Sequence, residues 1–381
     1  MSVIPVIISA VMKPISKLCC LLLLVLSFSV NADEDAADPL LQTFTELAPG
    51  VWLGNRPDST RLPVTPNTTF VIGADGVVVF DGGNLPLVGD RVIEKIRGLT
   101  DLPVTHLIIS HWHMDHVLGV SRYLHAFPQV QIIAHPYTRE LIARYLSQHE
   151  QDMRNTVSDN APEIAAMLEK DAQSAKPVMD TKTAAWYQQF VDAAELLETQ
   201  YRNFVPVYPN LVIDGNLSLF TGGREIRVLS LGTGNTPGDL VMWLPQEKIL
   251  ASGDIVVWPV PYGHGGHPKE WAQTVKKLAA MDFDLLIPGH GDVQTKRDYL
   301  ELLAATLESV ASQMTGFVAQ GKDQAAAKAA LNLSPFEVQF TGGDEFLAAR
   351  FDEWFTDPIG TAAWLIARGQ DPEIDKGDGA N

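Results

Sequence analysis

The amino-acid sequence predicts an α/β fold of four layers, in which two β-sheets pack face to face and helices cover both outer surfaces. Strand-like runs occur in two blocks, at about residues 51–110 and 211–287. Each block is interleaved with segments of helical periodicity. The 381 residues are 46% hydrophobic, with a mean hydropathy of +0.04. This composition supplies enough apolar side chains for the core of a large αββα sandwich.

The first block contains short runs rich in β-branched residues, then a helix and a buried strand. The turn signal Gly73-Ala74-Asp75-Gly76 between the second and third runs is typical of a hairpin. The predicted strands are Val51–Leu53, Thr68–Ile72, Val77–Phe80 and Val104–Ser110, with a helix around Val88–Leu99 before the last of them.

The segment from about 137 to 205 has helical character, and we interpret it as an insertion. Strand-like runs return at 211–257, and a last apolar run, Leu285–Ile287, ends the second block. We therefore predict one αββα domain over residues 46–295 that contains the insertion. A helical C-terminal extension, 296–381, is predicted to pack on the same domain.

Residues 1–32 have the pattern of a secretory signal peptide. A short basic region precedes Leu18–Val30, an apolar run of 13 residues, which is shorter than the roughly 20 that a membrane-spanning helix needs. Small residues predict cleavage after Ala32, and an uncleaved anchor is the alternative. We expect a periplasmic or secreted chain without a stable membrane anchor after cleavage, whose translation starts at Met1 or Met12.

The chain that follows the signal is acidic and lacks cysteine. A flexible linker is predicted at 33–45, and the net charge of the full sequence is −18. Such a charge repels polyanions, so nucleic acid is not an expected partner. Both cysteines, Cys19 and Cys20, lie in the predicted signal peptide. Disulfides and thiolate chemistry are therefore excluded from the predicted mature chain.

Four potential metal ligands follow the predicted strand Val104–Ser110 in the run His111-Trp112-His113-Met114-Asp115-His116. In an extended segment, residues two apart point the same way, so His111 and His113 can bind one cation. Asp115 and His116 fall at the turn into the next helix, which suits a second cation. Imidazole and carboxylate are suitable Zn²⁺ ligands where no thiolate is available. The alternative is a chance cluster of polar loop residues.

This run resembles the His-x-His-x-Asp-His signature of the metallo-β-lactamase-fold hydrolases. Three further motifs occur in the order that this family shows. Asp81-Gly82-Gly83 resembles the early Asp-Gly turn, Ser252-Gly253-Asp254 resembles the segment with the bridging aspartate, and Pro288-Gly289-His290-Gly291 resembles the last histidine motif. The resemblance extends from about Val51 to Gly291, with 137–205 as an insertion.

The resemblance implies a metallo-β-lactamase-like αββα fold and one or two zinc ions, with iron or manganese as open alternatives. It implies that His111, His113 and a third histidine hold one metal ion. Asp115, His116 and His290 hold the other in this interpretation, and Asp254 bridges the two.

One position departs from the family pattern, because Asn235 follows Gly232-Thr233-Gly234 where the family has its third histidine. An amide oxygen is a poorer zinc donor than imidazole. We therefore expect the first metal site to bind weakly or not at all, unless Asp239, His264 or His267 substitutes. Three outcomes stay open: two metal ions, one ion in the Asp115 site, or a loss of catalysis.

These residues favour an exported, metal-dependent hydrolase in which zinc-activated hydroxide attacks a small carbonyl substrate, such as an ester, lactone, thioester or β-lactam. Asp115 is the predicted catalytic residue, because it can orient the nucleophile. Trp112, His264 and His267 are candidate substrate contacts. A non-catalytic periplasmic metal- or ligand-binding protein with a degraded site is the alternative, and a small-molecule phosphodiesterase is the second alternative.

The aromatic residues of the C-terminal extension follow helical spacing, and we expect them to pack the extension on the core. A dimer contact is the alternative, and the pattern does not specify an oligomeric state. These residues are Phe346, Phe351, Trp354, Phe355 and Trp364.

Overall fold

The computed structural model describes residues 38–61, 64–174 and 179–372. The predicted signal peptide, 1–32, lies outside the described residues, as do 33–37 of the predicted linker and the last residues of the C-terminal extension. The first strand begins at Thr43, within the range predicted as linker.

The first sheet has seven strands in sequential order, β1 to β7. Strands β1 to β4 pair antiparallel, and β4 to β7 pair parallel. Its strands are β1 (Thr43–Ala48), β2 (Val51–Asn55), β3 (Thr68–Ile72), β4 (Val77–Phe80), β5 (Val104–Ile108), β6 (Gln131–Ala134) and β7 (Leu211–Val212).

The second sheet has five strands in the order β12-β11-β10-β9-β8. Strands β8 to β11 pair antiparallel, and β12 joins β11 in parallel. Its strands are β8 (Asn216–Thr221), β9 (Arg224–Leu229), β10 (Val241–Leu244), β11 (Ile249–Ala251) and β12 (Leu285–Ile287).

The two sheets face each other across a shared apolar layer. In β4, Val78 and Phe80 enter this layer, whereas Val77 and Val79 pack under the helices on the opposite face. Strand β10 alternates in the same way, with Met242 facing the other sheet. Side chains of a strand point alternately to its two faces, so central strands covered on both faces are apolar throughout.

Helices cover both outer faces, which confirms the predicted four-layer αββα sandwich. Helices α1 to α5 lie with the core of the first sheet, and α6 to α11 with that of the second. The helices are α1 (Pro86–Arg97), α2 (Val120–Ala126), α3 (Pro136–Ala172), α4 (Thr181–Asp192), α5 (Ala194–Asn203), α6 (Pro268–Ala279), α7 (Asp298–Ala319), α8 (Gln324–Ala330), α9 (Ser334–Thr341), α10 (Glu345–Phe351) and α11 (Asp357–Ala367).

The segment between β6 and β7 consists of α3, α4 and α5, and its first helix is 37 residues long. The chain after residue 296 consists of α7 to α11, with a π-helical turn, Asp352–Thr356, between the last two helices. Within the described ranges, no helix combines the length and the apolar character that a membrane span requires.

Candidate metal centre

The loop after β5 carries four of the predicted ligands. This strand is buried in the first sheet, and the chain leaves the sheet at its carboxyl end, where a loop can hold polar groups without breaking strand pairing. His111 and His116 are fully buried, whereas the side chain of Asp115 is 31% exposed. Asp115 and His116 lie in a short 3₁₀ turn, Met114–His116.

Two loops of the second sheet bring the remaining ligands to the same place. Asp254 lies in a 3₁₀ turn after β11, and His290 follows β12. Glycine is required at position 289, because a Cβ atom there would lie 1.9 Å from Asp254 Oδ1. The Pro-Gly-His-Gly motif thus leaves space for the Asp254 carboxylate beside His290.

Neighbouring donor atoms of the cluster lie at separations that suit binding of a metal ion. Asp115 Oδ2 lies 3.1 Å from His290 Nε2 and 3.4 Å from His116 Nε2. Asp254 Oδ1 lies 3.3 Å from His116 Nε2 and 3.5 Å from His290 Nε2. A tetrahedral Zn²⁺ with ligands at about 2.0–2.1 Å holds its donor atoms about 3.3–3.4 Å apart. Asp115, His116 and His290 therefore form one group that could hold a metal ion such as zinc, and His111, His116 and Asp254 form another.

The outer nitrogen of each histidine is held by a neighbouring group. His116 Nδ1 pairs with Asp81 Oδ2 at 2.8 Å, and His111 Nδ1 with Ser110 Oγ at 2.9 Å. His290 Nδ1 lies 3.2 Å from the Thr65 carbonyl oxygen. These contacts fix the rings, so that each Nε2 is turned toward the cluster. His116 Nε2 and Asp254 Oδ1 are buried without a hydrogen-bond partner in the described structure, as expected for metal ligands.

The electrostatics of the cluster follow from burial and from the clustered carboxylates. Burial lowers the pKa of His116, but the charges of Asp115, Asp81 and Asp254 outweigh it and raise this pKa well above its usual value. Burial alone raises the pKa of Asp115. The neighbouring His116 and His290 reverse this effect and hold its pKa far below the usual range. Asp115 is therefore a carboxylate at neutral pH.

A second donor group shares Asp254 through its other oxygen. His111 Nε2 lies 3.6 Å from Asp254 Oδ2 and 2.9 Å from His113 Nδ1. Burial lowers the pKa of His111, and the charge of His116 adds to this effect, so His111 favours the neutral form that binds metal. The two oxygens of Asp254 face the two donor groups, an arrangement that suits a bridging ligand.

Asn235 is fully buried in the loop between β9 and β10. Its Nδ2 donates to the Tyr262 carbonyl oxygen at 2.7 Å, and its Oδ1 has no hydrogen-bond partner within the described residues. The Tyr262 ring meets the His113 ring edge-on, with 5.6 Å between ring centroids. This hydrogen bond fixes the orientation of the Asn235 amide, so Oδ1 is the side-chain atom that remains available to a ligand.

Asp239, one possible substitute for the third histidine, is engaged within its own loop. Its Oδ2 accepts from the backbone N–H groups of Gly234 at 3.1 Å and Thr236 at 2.8 Å. Burial raises the pKa of Asp239 well above its usual value, and the charge of Asp254 adds to the rise. This carboxylate shapes the Gly234–Asp239 loop rather than joining either donor group.

A pocket of about 430 Å³ opens onto the donor groups. Trp112 and His264, two of the predicted substrate contacts, line it. His267 does not line this pocket and lies at the start of α6. His113, Asp115, Asp254 and His290 also line this pocket.

Four further aromatic residues, Tyr145, Trp258, Tyr262 and Trp354, line the pocket, and the sequence analysis predicted none of them as pocket residues. Tyr145 reaches it from α3, and Trp354 from the π-helical turn Asp352–Thr356. The helical spacing of Trp354 predicted only that it packs the C-terminal extension on the core. Tyr145 belongs to no sequence motif, so nothing in the sequence pointed to a role in the pocket. Both residues depend on how the helical segments fold back over the sheets, which local spacing does not encode.

The fold and site together define an αββα protein with a histidine- and carboxylate-rich centre where loops of both sheets meet. The chain belongs to the metallo-beta-lactamase superfamily, whose family model matches residues 61–290.

Curated relatives are distant. A linear primary-alkylsulfatase of Pseudomonas sp. is 19% identical over 245 residues, which cover 62% of this chain and 44% of the relative. A metallo-beta-lactamase type 2 of Bacillus sp. is 20% identical over 261 residues, 67% of this chain and 78% of the relative. The chain thus spans less than half the length of the alkylsulfatase.

Among solved structures, a stereoselective inverting sec-alkylsulfatase from Pseudomonas sp. is similar with a TM-score of 0.57 at 16% identity. The match covers 87% of this chain and 51% of that one. At this identity the likeness concerns the fold.

Proposed function

We propose that this protein is a metal-dependent hydrolase that cleaves a small carbonyl substrate, an ester, lactone, thioester or β-lactam. The observation that carries the proposal is a cluster of histidine and carboxylate donor atoms, with neighbouring atoms 3.1–3.5 Å apart, on a pocket large enough for a small molecule. Family membership supports it, because related proteins include hydrolases.

In this proposal, Asp115, His116, Asp254 and His290 hold a zinc ion, and His111 and His113 contribute to a second, weaker site. When bound, zinc supplies a nucleophile at neutral pH, because it lowers the pKa of water to about 7. Iron and manganese are alternatives to zinc, and elemental analysis of the purified protein distinguishes the three metals.

Asp115 has the clearest role among the protein groups. Its side chain is the partly exposed member of the donor set, and its pKa is held far below the usual range. A carboxylate of such low pKa is a weak base, so we assign it the orientation of water by hydrogen bonding rather than the uptake of a proton. The ionised Asp115 thereby fixes the direction from which water approaches the substrate carbonyl.

Hydrolysis of an alkyl sulfate ester is a second candidate function. It is supported by the apolar walls of the pocket and by the two alkylsulfatases among the similar proteins. The same donor set would serve either reaction, and the substrate decides between them.

The test compares the zinc-loaded parent with an Asp115→Asn variant on a panel of substrates. The panel contains an aryl ester, a lactone, a thioester, a chromogenic β-lactam, an alkyl sulfate and a phosphodiester. We expect turnover of at least one carbonyl substrate and a loss of about 100-fold or more in kcat for Asp115→Asn. Asp90→Asn is the matched control, because Asp90 is a surface carboxylate paired with Arg122.

A parent protein that is folded and metal-loaded, yet turns over nothing on the panel, would contradict the proposal and favour a binding protein. Turnover of the alkyl sulfate alone selects the second candidate, and turnover of the phosphodiester alone selects a phosphodiesterase. Equal rates for parent and Asp115→Asn would remove Asp115 from catalysis.

Export to the periplasm is part of the proposal. It is supported by the basic and apolar segments within residues 1–32.

A further inference from the structure

The residues that line the pocket beside the candidate metal centre fall into two chemically different groups. One group contains the metal-binding candidates and other polar residues, and the larger group, the apolar half, is aromatic and aliphatic. Trp112, Tyr145, Trp258, Tyr262 and Trp354 provide rings, with Val260 among the aliphatic residues. A ligand in this pocket therefore meets polar groups at the metal-binding candidates and a mainly apolar surface elsewhere.

The apolar half is built by segments that are far apart in the sequence. Tyr145 on α3 packs against Trp112, with 5.4 Å between ring centroids. Trp354 packs against Trp186 of α4 at 6.1 Å, and its carbonyl oxygen accepts from the Gly263 N–H at 2.8 Å. The helical insertion and the C-terminal extension thus each contribute one ring to the wall.

A buried cation fixes the ring from the C-terminal extension. Arg350 is 4% exposed, and its guanidinium lies over the Trp186 ring, 4.2 Å from the ring centroid, and 5.9 Å from that of Trp354. Trp186 Nε1 donates to the Thr60 carbonyl oxygen at the edge of the pocket. These contacts hold the wall in place before any ligand arrives, which lowers the entropy cost of binding.

Resting on the proposed function, we propose that this apolar half is the subsite for a hydrocarbon group, alkyl or aryl, joined to the hydrolysable bond of the substrate. The occupant is apolar because transfer of hydrocarbon from water to such a wall is favourable in proportion to the area buried. Tyr145 and Trp354 are then specificity-determining residues, and the bond to be cleaved lies at the Asp115 end.

The experiment measures kcat and KM of the zinc-loaded full chain on p-nitrophenyl butyrate, hexanoate and octanoate. Each added methylene should raise kcat/KM about fourfold, mainly through KM, because uniform binding lowers KM. Trp354→Ala should reduce this gain to less than about twofold for each added methylene.

Tyr145→Ala is the second variant, and circular dichroism shows whether each variant is folded. Trp364→Ala is the matched control, since Trp364 lies in the same C-terminal extension and does not line the pocket. The control should keep the chain-length dependence of the parent. A flat dependence in the parent, or unchanged dependence in folded Trp354→Ala and Tyr145→Ala, overturns the inference.

A binding measurement separates this inference from the proposed function. Calorimetric titration with 2-pentanone and 2-nonanone, which are not hydrolysed, should give tighter binding of the longer ketone and a smaller difference in Trp354→Ala. If the longer ketone binds more tightly but no ester is hydrolysed, the inferred subsite stands and the proposed carbonyl hydrolase activity is contradicted. Turnover of alkyl sulfates, measured beside that of the esters, then shows whether the hydrocarbon group of the substrate is joined to a sulfate or to a carbonyl ester. Equal affinities for the two ketones overturn the subsite.

Discussion

Asp81 lies behind the candidate metal centre and fixes the orientation of the His116 ring. The carboxylate uses both oxygens: Oδ1 accepts from the Ser110 N–H at 2.8 Å, and Oδ2 pairs with His116 Nδ1 at 2.8 Å. The Asp81 side chain therefore fixes both the start of the loop after β5, at Ser110, and the ring of His116 at the end of that loop. Asp81 itself has φ +64°, a conformation that aspartate and asparagine tolerate better than other residues with a Cβ.

Substitution of Asp81 by asparagine tests this support. Because asparagine also tolerates positive φ, the backbone should persist, while the amide cannot reproduce both contacts. We expect metal affinity to fall about 10- to 100-fold, the usual cost of losing such a support. Competition with a chromophoric chelator measures the affinity. Asp90→Asn serves as the control, and an Asp81→Asn protein with the affinity of the parent would show that Asp81 only shapes the turn.

The clustering of four candidate ligands could be predicted from the sequence because their spacing is local. His111, His113, Asp115 and His116 lie within six residues, and the turn that separates their directions is short. The bond between Asp81 and His116 could not be derived in this way, since it depends on the parallel pairing of β4 and β5. The family resemblance identified Asp81 as part of a turn but did not predict its contact with His116.

At the scale of elements, helix α4 joins the insertion to the C-terminal extension. Trp186 on this helix is 6% exposed and packs with Phe346 at 6.0 Å and under Arg350. Lys182 on the same helix pairs with Asp344 at 2.9 Å. The ion pair is exposed and contributes little, so the buried rings and the covered guanidinium provide most of the stabilisation.

Trp186→Ala should therefore lower the free energy of unfolding by about 3–5 kcal/mol, the usual cost of removing a buried tryptophan. The loss combines a cavity, the unpaired Thr60 carbonyl oxygen and the removal of the ring nearest to the buried Arg350 guanidinium. Chemical denaturation measures it. Phe220→Ala, at a side chain that is 66% exposed on β8, should change stability by no more than about 0.5 kcal/mol. Equal effects of the two substitutions would contradict this packing argument.

The elements themselves could be predicted to a good extent, because periodicity and β-branched runs reflect burial on one or both faces. Helical character also indicated the region around α3 to α5. What periodicity did not indicate is where those helices dock. Tyr145 and Trp354 show the consequence, since each is an ordinary helical aromatic residue in sequence and a pocket wall in the structure.

For the whole molecule, the metal centre joins the two sheets. The loop after β5 belongs to the first sheet, whereas Asp254 and His290 follow strands of the second. Between the two sheets, Asp115 Oδ2 lies 3.1 Å from His290 Nε2, and His116 Nε2 lies 3.3 Å from Asp254 Oδ1. The four-layer fold could be predicted from the two blocks of strands. That candidate ligands from the two blocks lie together was implied only by the resemblance to the family motifs.

Metal content per folded chain tests the central claim most directly. The protein is purified without added metal and analysed for its elements, before and after dialysis against zinc and then against metal-free buffer. We predict at least one zinc ion per chain retained after the final dialysis, held by Asp115, His116, Asp254 and His290, with a second ion only if Asn235 completes the His111–His113 site. A folded chain that retains no metal ion after exposure to zinc would contradict the account.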